Sequence, residues 1–485
     1  MGNRSNVRVL DSLTALTTLF LALQWPTSVV AAKPVSFEST GPEILDEYLA
    51  KPEPEYSWQI VRNVETEQVS SYVIDLTSLE WLNPEEVDRT EWHHWLIVTK
   101  PKDLHHATAI MIVGGGNNGE DAPRGPSQRA MKLAKQLCAV VVELQQVPNE
   151  PLKFRQDGKK RKEDDLLAYA GDQFLKTGDT RWIARLPMVK SVVKAMDTVQ
   201  ELAEEKFPET EPISNFIVVG ASKRGWTSWL VAGADPRVIA VAPLVIDCLN
   251  IQKSMLHHIA AYGFWAPAVG DYERHGLLNH LKQPEYQRLI QIDDPYFHRQ
   301  RVTMPKFIVN SAGDQYFLPD SSQFYFDSLV GEKHLRYVPN SDHSLKDSDA
   351  EESIAAFCNS ILLEKERPRY DWNFSPDGSI EVTCETKPTA VRLWQANNPD
   401  ARDFRLETLG PAYRSEELNA TADGKYVVTA PKVERGWTAY FVEMEFPTSM
   451  GPPMKFTTGV RVAPDVLPHL DLINPQPESV GAAAD

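Results

Sequence analysis

The stretch Phe216-Ile-Val-Val-Gly220-Ala-Ser222-Lys223-Arg224-Gly225-Trp226-Thr-Ser-Trp-Leu230 leaves this chain few ways to fold. β-forming residues run into a glycine, a serine follows two positions on, and apolar residues at helical spacing then begin. The pattern predicts a buried strand, a turn too tight for most side chains, and a helix. Ser222 stands at the apex, beside the unpaired first N–H groups of that helix. A hydroxyl held there is placed to attack a carbonyl carbon, and the N–H of Lys223 to receive the oxyanion. The usual arrangement has glycines two before and two after the serine. Here Arg224 takes the second glycine's place and Gly225 comes one residue later. The competing reading is a structural turn with an incidental serine, and the rest of the chain decides between them.

Downstream, Pro305-Lys-Phe-Ile-Val-Asn310 predicts a strand that leads into Gly313-Asp314-Gln315-Tyr316. Leu335-Arg-Tyr-Val338 predicts the next, leading into Pro339-Asn340-Ser341-Asp342-His343. A carboxylate past one strand and a histidine past the next, both after the serine, give the order Ser…Asp…His. Each lies at the C-terminal end of its strand, where open α/β sheets build their sites. Ser222, Asp314 and His343 are therefore the expected catalytic residues. Asp320 is the rival acid, although its position suits the N-cap of a following helix better.

Upstream, the apolar run Ala107–Val113 reads as a strand buried on both faces and ends in Gly114-Gly115-Gly116-Asn117-Asn118-Gly119. Neither phosphate-binding glycine pattern is present, so no nucleotide cofactor is expected. Gly115, Gly116 and Asn117 are expected to turn a second N–H toward the oxyanion. The adjacent pairs His93-His94, His105-His106 and His257-His258 do not predict a metal, because neighbouring side chains diverge on strand and helix alike.

Strands alternating with helical patterns, including a helix from about 187 to 206, predict a mostly parallel sheet covered on both faces. The alternation breaks between about 248 and 301, a stretch rich in aromatics and histidines. It is expected to cap the serine, with Trp265, Trp226, Tyr316 and Arg224 at the substrate pocket. The run Lys159-Lys160-Arg161-Lys162 reads as a solvated loop, its charge cancelled at once by Glu163-Asp164-Asp165. From 368 to 473 short strands separated by turns predict a β-sandwich module, and 474–485 a disordered tail.

At the start, Arg4 and Arg8 precede an apolar segment from Leu13 to Leu23, and Val30-Ala31-Ala32 offers a cleavage site. This predicts a signal peptide over 1–32, with the main domain running over 33–367 and the protein secreted or periplasmic. The apolar segment is too short for a membrane span. A net charge of -17 repels nucleic acid and anionic membranes, so a peptide or small molecule is the expected partner. Cys138, Cys248, Cys358 and Cys384 fit no metal spacing, and most lie in apolar surroundings that favour free thiols.

Gly220-Ala-Ser-Lys-Arg-Gly-Trp226, Asp294-Pro-Tyr296, Pro305–Asn310, Gly313–Asp320 and Pro339-Asn340 with His343 together resemble the PhoPQ-activated pathogenicity-related family. The likeness runs from about residue 45 to 460. It implies an α/β-hydrolase core with an appended β module, and makes the shifted glycine an inherited feature. The family includes secreted proliferation repressors of amoebae, and the dipeptidyl-peptidase-like activity of that branch implies a peptide substrate. Glucuronoyl esterases have a similar G-x-S-x-x-G elbow, which keeps an ester of an acidic sugar as a second class. A secreted signalling or binding protein on a hydrolase scaffold is the alternative of another kind.

Overall fold

The computed structural model describes residues 40–448 and 451–474. The expected leader at 1–32, and the tail beyond its first residue, lie outside them. Nine strands form the principal sheet: Ser57–Glu65 (β1), Val69–Glu80 (β2), Glu91–Pro101 (β3), Thr108–Val113 (β4), Val141–Leu144 (β5), Asn215–Ala221 (β6), Val238–Leu244 (β7), Lys306–Ser311 (β8) and Lys333–Val338 (β9). Their spatial order is β1-β2-β3-β5-β4-β6-β7-β8-β9. The first three pairings are antiparallel. Every later pairing is parallel.

The two halves of the sheet have different sequences because they bury different faces. β6 is apolar over most of its length and β8 over Phe307–Val309, and both are buried on both sides, as parallel strands covered by helices must be. β1 alternates exposed and half-buried positions, as an edge strand does. The helix Arg185–Lys206 packs against β2 and β3 on one face. On the other face Gln128–Leu137 and Ala350–Leu362 share a core with β4, β6 and β8.

Two features depart from the sequence reading. The polar stretch after Lys162 is a helix, Glu163–Thr177, with its three acids in the first turn, where they complement the helix dipole. Asp320 opens only two short 3₁₀ turns and makes no cap. Its buried carboxylate is held by His257 Nε2 at 3.0 Å and Arg402 at 2.6 Å. Burial alone would raise its pKa, but the Arg402 guanidinium and the His257 hydrogen bond hold it well below the usual carboxylate range.

The stretch from 248 to 301 is helical, built mainly from Ile251–Tyr262 and Pro284–Asp293. Beyond it lie antiparallel sheets of three and five strands between Tyr370 and Ala463. Ile380, Val382, Val442 and Phe456 of these sheets share one apolar cluster with Phe307, Val309 and Phe357. The backbone N–H of Tyr337 donates to Thr457 Oγ1 at 2.9 Å. All four cysteines are free thiols. Among the described residues no helix is long and apolar enough to cross a membrane. The chain thus has an α/β-hydrolase core followed by antiparallel sheets.

Candidate active site

Ser222 joins β6 to the helix Lys223–Ala234 with φ 56° and ψ -128°, a conformation that side-chain-bearing residues rarely adopt. Its N–H donates to the Leu244 carbonyl at 2.8 Å. A Cβ on Gly220 would lie 2.4 Å from the Arg224 carbonyl oxygen. One on Gly225 would lie 2.9 Å and 3.0 Å from the Gly220 and Leu244 carbonyl oxygens. The helix therefore approaches the strands at position 225, and position 224 is free to carry a side chain.

Arg224 does not wall the cavity beside Ser222, contrary to expectation. Its guanidinium donates both Nη groups to Glu163, at 2.9 and 3.0 Å, and Nε to the Val147 carbonyl. A Cβ on Gly115 would sit 2.5 Å from Nη2, so the glycine loop packs directly on this side chain. Gly116 lies against Gln146, whose amide donates to the Asn117 carbonyl at 2.8 Å. None of Gly115, Gly116 and Asn117 is among the cavity walls. Glu150, buried beneath them, is pushed up to about 8 by burial and by the neighbouring Glu163.

Asp314 follows β8 and His343 follows β9, strands in parallel register to Ser311 and Val338. His343 Nδ1–H donates to Asp314 Oδ2 at 2.8 Å. The other carboxylate oxygen accepts the Tyr316 N–H at 2.7 Å. Gln315 Oε1 accepts the backbone N–H of His343 at 2.9 Å. In the neutral imidazole, Nδ1 donating leaves the lone pair on Nε2, and Nε2 is buried without a hydrogen-bond partner. No hydrogen bond joins it to Ser222. The imidazole packs on Tyr316 and Phe317, with centroids 4.4 and 6.0 Å away. Both of those rings wall the cavity that Ser222 also faces.

The segment between the strands Ala390–Asn398 and Arg414–Glu417 reaches this site. Asn340 Nδ2 donates to the Tyr413 carbonyl at 3.0 Å, and its Oδ1 accepts the Tyr413 N–H at 2.9 Å. The Leu406 N–H donates to Gly313 at 2.9 Å, and the Tyr413 hydroxyl to Ala312 at 3.3 Å. One C-terminal segment thus braces the loops of both Asp314 and His343.

The cavity measures about 80 Å³. Ser222, Lys223, Trp226 and Tyr316 wall it, as do Met255, Tyr272, Leu277 and Leu289 from the helical stretch. Trp265 does not; it packs on His258, 5.5 Å between centroids. Three charged walls were not expected from the sequence: Asp164, Arg185 and Asp293. Asp164 accepts the hydroxyls of Tyr272 and Tyr316, at 3.1 and 3.3 Å, and lies 3.3 Å from Lys223 Nζ. The only signal for it was the acidic triplet, which reads equally well as a helix start. Among the described residues, the potential metal ligands that come together are Asp103, His105 and Cys138. They lie at the surface near the N-terminal ends of β4 and β5, the sheet edge opposite Ser222.

The curated relatives include autocrine proliferation repressor protein A of Dictyostelium discoideum, 37% identical over 456 residues, or 87% of this chain and 91% of the relative. Solved structures similar to it include acetyl xylan esterase 1 from Thermoanaerobacterium sp. JW/SL YS485, with a TM-score of 0.48 and 14% identity over 66% of this chain and 93% of that one. Another is the acylaminoacyl peptidase of Pyrococcus horikoshii, with a TM-score of 0.38 and 14% identity over 65% of this chain and 51% of that one. The sequence model of one family matches residues 45–405, and the chain belongs to that family, the PhoPQ-activated pathogenicity-related proteins.

Proposed function

We propose that the protein is an exported serine hydrolase that cleaves an acyl bond, in a peptide or a carboxylic ester. The observation that carries this is the Asp314–His343 bond, which leaves a buried, unpartnered Nε2 beside a cavity that Ser222 also walls. A basic nitrogen so placed lacks only the proton it would take from the serine.

In this reading Ser222 Oγ attacks the acyl carbon while Nε2 removes its proton, and Asp314 stabilises the imidazolium. The N–H of Lys223, at the first position of its helix, donates to the oxyanion; one such donor is worth about 3 kcal/mol of barrier. The leaving amine or alcohol takes the proton from His343. Water then attacks the acyl-serine through the same nitrogen, releasing the acid. The Lys223 side chain stays engaged with Glu163 Oε2 at 2.6 Å and Asp164, so only its backbone serves the reaction.

A fluorophosphonate probe should label the wild-type protein at Ser222, and Ser222→Ala should abolish labelling without lowering the melting temperature. Folded wild-type protein that resists the probe would sink the proposal. A relative named as a repressor of proliferation suggests a signalling reading as the alternative. It predicts that Ser222→Ala keeps the full biological effect of the protein.

A further inference from the structure

The cavity beside Ser222 is apolar over most of its wall, with Met255, Leu277, Leu289 and Ile290 on the helical side. Set among these is the guanidinium of Arg185, only 5% exposed. It stacks 4.1 Å over the Trp226 ring. Its nearest carboxylate, Asp293, approaches Nε to 3.2 Å. That contact lacks hydrogen-bond alignment: Nε, Nη1 and Asp293 Oδ1 are all buried without a hydrogen-bond partner. Buried polar groups are almost always paired, and an arginine kept only for packing would be replaced by an apolar residue at little cost. The other cation of the cavity is satisfied, since Lys223 pairs with Glu163 and Asp164. Arg185 alone holds donors in reserve.

We propose that Arg185 is a carboxylate anchor and sets the enzyme's specificity, so that the acyl group entering the cavity ends in a carboxylate. The inference rests on the hydrolase reading and names the substrate class of that same site. A planar carboxylate matches the fork of a guanidinium, and an apolar wall strengthens the bond by excluding water. The methylenes of such a group would run past the leucines while its acyl carbon lies at Ser222. Two sources share this chemistry: a monoester of a dicarboxylic acid, and a peptide with an acidic side chain at the acyl residue. Asp293 limits the affinity for any such anion by its own charge.

The test compares kcat/KM for 4-nitrophenyl monoglutarate and 4-nitrophenyl pentanoate, corrected for spontaneous hydrolysis, and for Glu- and Gln-aminocoumarin amides. The wild type should favour the anionic member of at least one pair by about ten- to hundredfold. Preference within the first pair assigns the monoester, within the second the peptide. Arg185→Met should lower that ratio at least tenfold, and Arg185→Lys should lower it less. Asp293→Asn should raise it several-fold, which loss of packing does not do. A wild-type ratio near one, or an Arg185→Met effect equal on both members, would overturn the anchor.

Binding of monomethyl glutarate against dimethyl glutarate to Ser222→Ala, by calorimetry, needs no turnover. Tighter binding of the monoester, lost on adding Arg185→Met, supports the anchor even if the probe fails to label Ser222. Equal binding of the two esters tells against the anchor and leaves the hydrolase reading to the labelling result.

Discussion

At the residue scale Ser222 holds a costly backbone conformation. With φ 56° and ψ -128°, a residue with a Cβ carries strain on the order of 1–3 kcal/mol. Glycine takes that conformation freely and loses roughly 0.5–1 kcal/mol through the entropy of its unfolded chain. Ser222→Gly is therefore expected to raise stability by about 1 kcal/mol in urea denaturation while losing probe labelling. A destabilised variant would show that the strain is relieved elsewhere. Ser222, Asp314 and His343 were legible in the sequence because each stands in a local pattern, a strand end followed by a turn. Arg185 and Asp293 were not, because one charged residue in a helix pattern looks the same whether it meets solvent or a cavity.

At the element scale, strand alternation decides the fate of the paired histidines. On β3, His93 points outward with its side chain 40% exposed, and His94 is buried, as the two-residue period requires. His94 Nδ1–H donates to the Gln145 carbonyl at 3.0 Å, and Nε2 accepts from Ser78 Oγ at 2.9 Å. Burial pushes its pKa from 6.5 down to about 4. Between those values the unfolded chain takes up a proton that the folded protein refuses. The contribution of His94 is thus fully present above pH 6.5 and is lost as pH falls toward 4, about 3 kcal/mol in all. His258 and His298, also lowered by burial, act in the same direction. The stability gap between wild type and His94→Gln should narrow by about 2 kcal/mol from pH 7 to pH 5 in urea titrations. A gap independent of pH would show that His94 does not titrate there. The helix Glu163–Thr177 shows where element reading failed: its acids were counted as cancelling the basic run before them, when their place is a helix's first turn.

At the scale of the whole molecule the segment linking two strands of the five-stranded sheet becomes part of the candidate site. Its sequence contains no constellation of chemical groups, yet Tyr413 and Leu406 hold the loops of His343 and Asp314. Asn340 sits at φ 53°, which asparagine tolerates better than alanine. If His343 acts as the base proposed above, Asn340→Ala should lower kcat about tenfold with little change in KM, because misplacing the base harms the transition state more than binding. A variant with wild-type kcat would mean that the brace is dispensable. The amino-acid order by itself determined the strand, elbow and helix and the succession of serine, acid and histidine, since these follow from periods of two and 3.6 residues and from turn chemistry. Which distant charges share the cavity, where Arg224 points, and what steadies the histidine loop were decided only by tertiary packing. Such contacts join residues 61 positions apart for Arg224 and Glu163 and 152 for Tyr316 and Asp164, and no short-range pattern encodes where such segments meet.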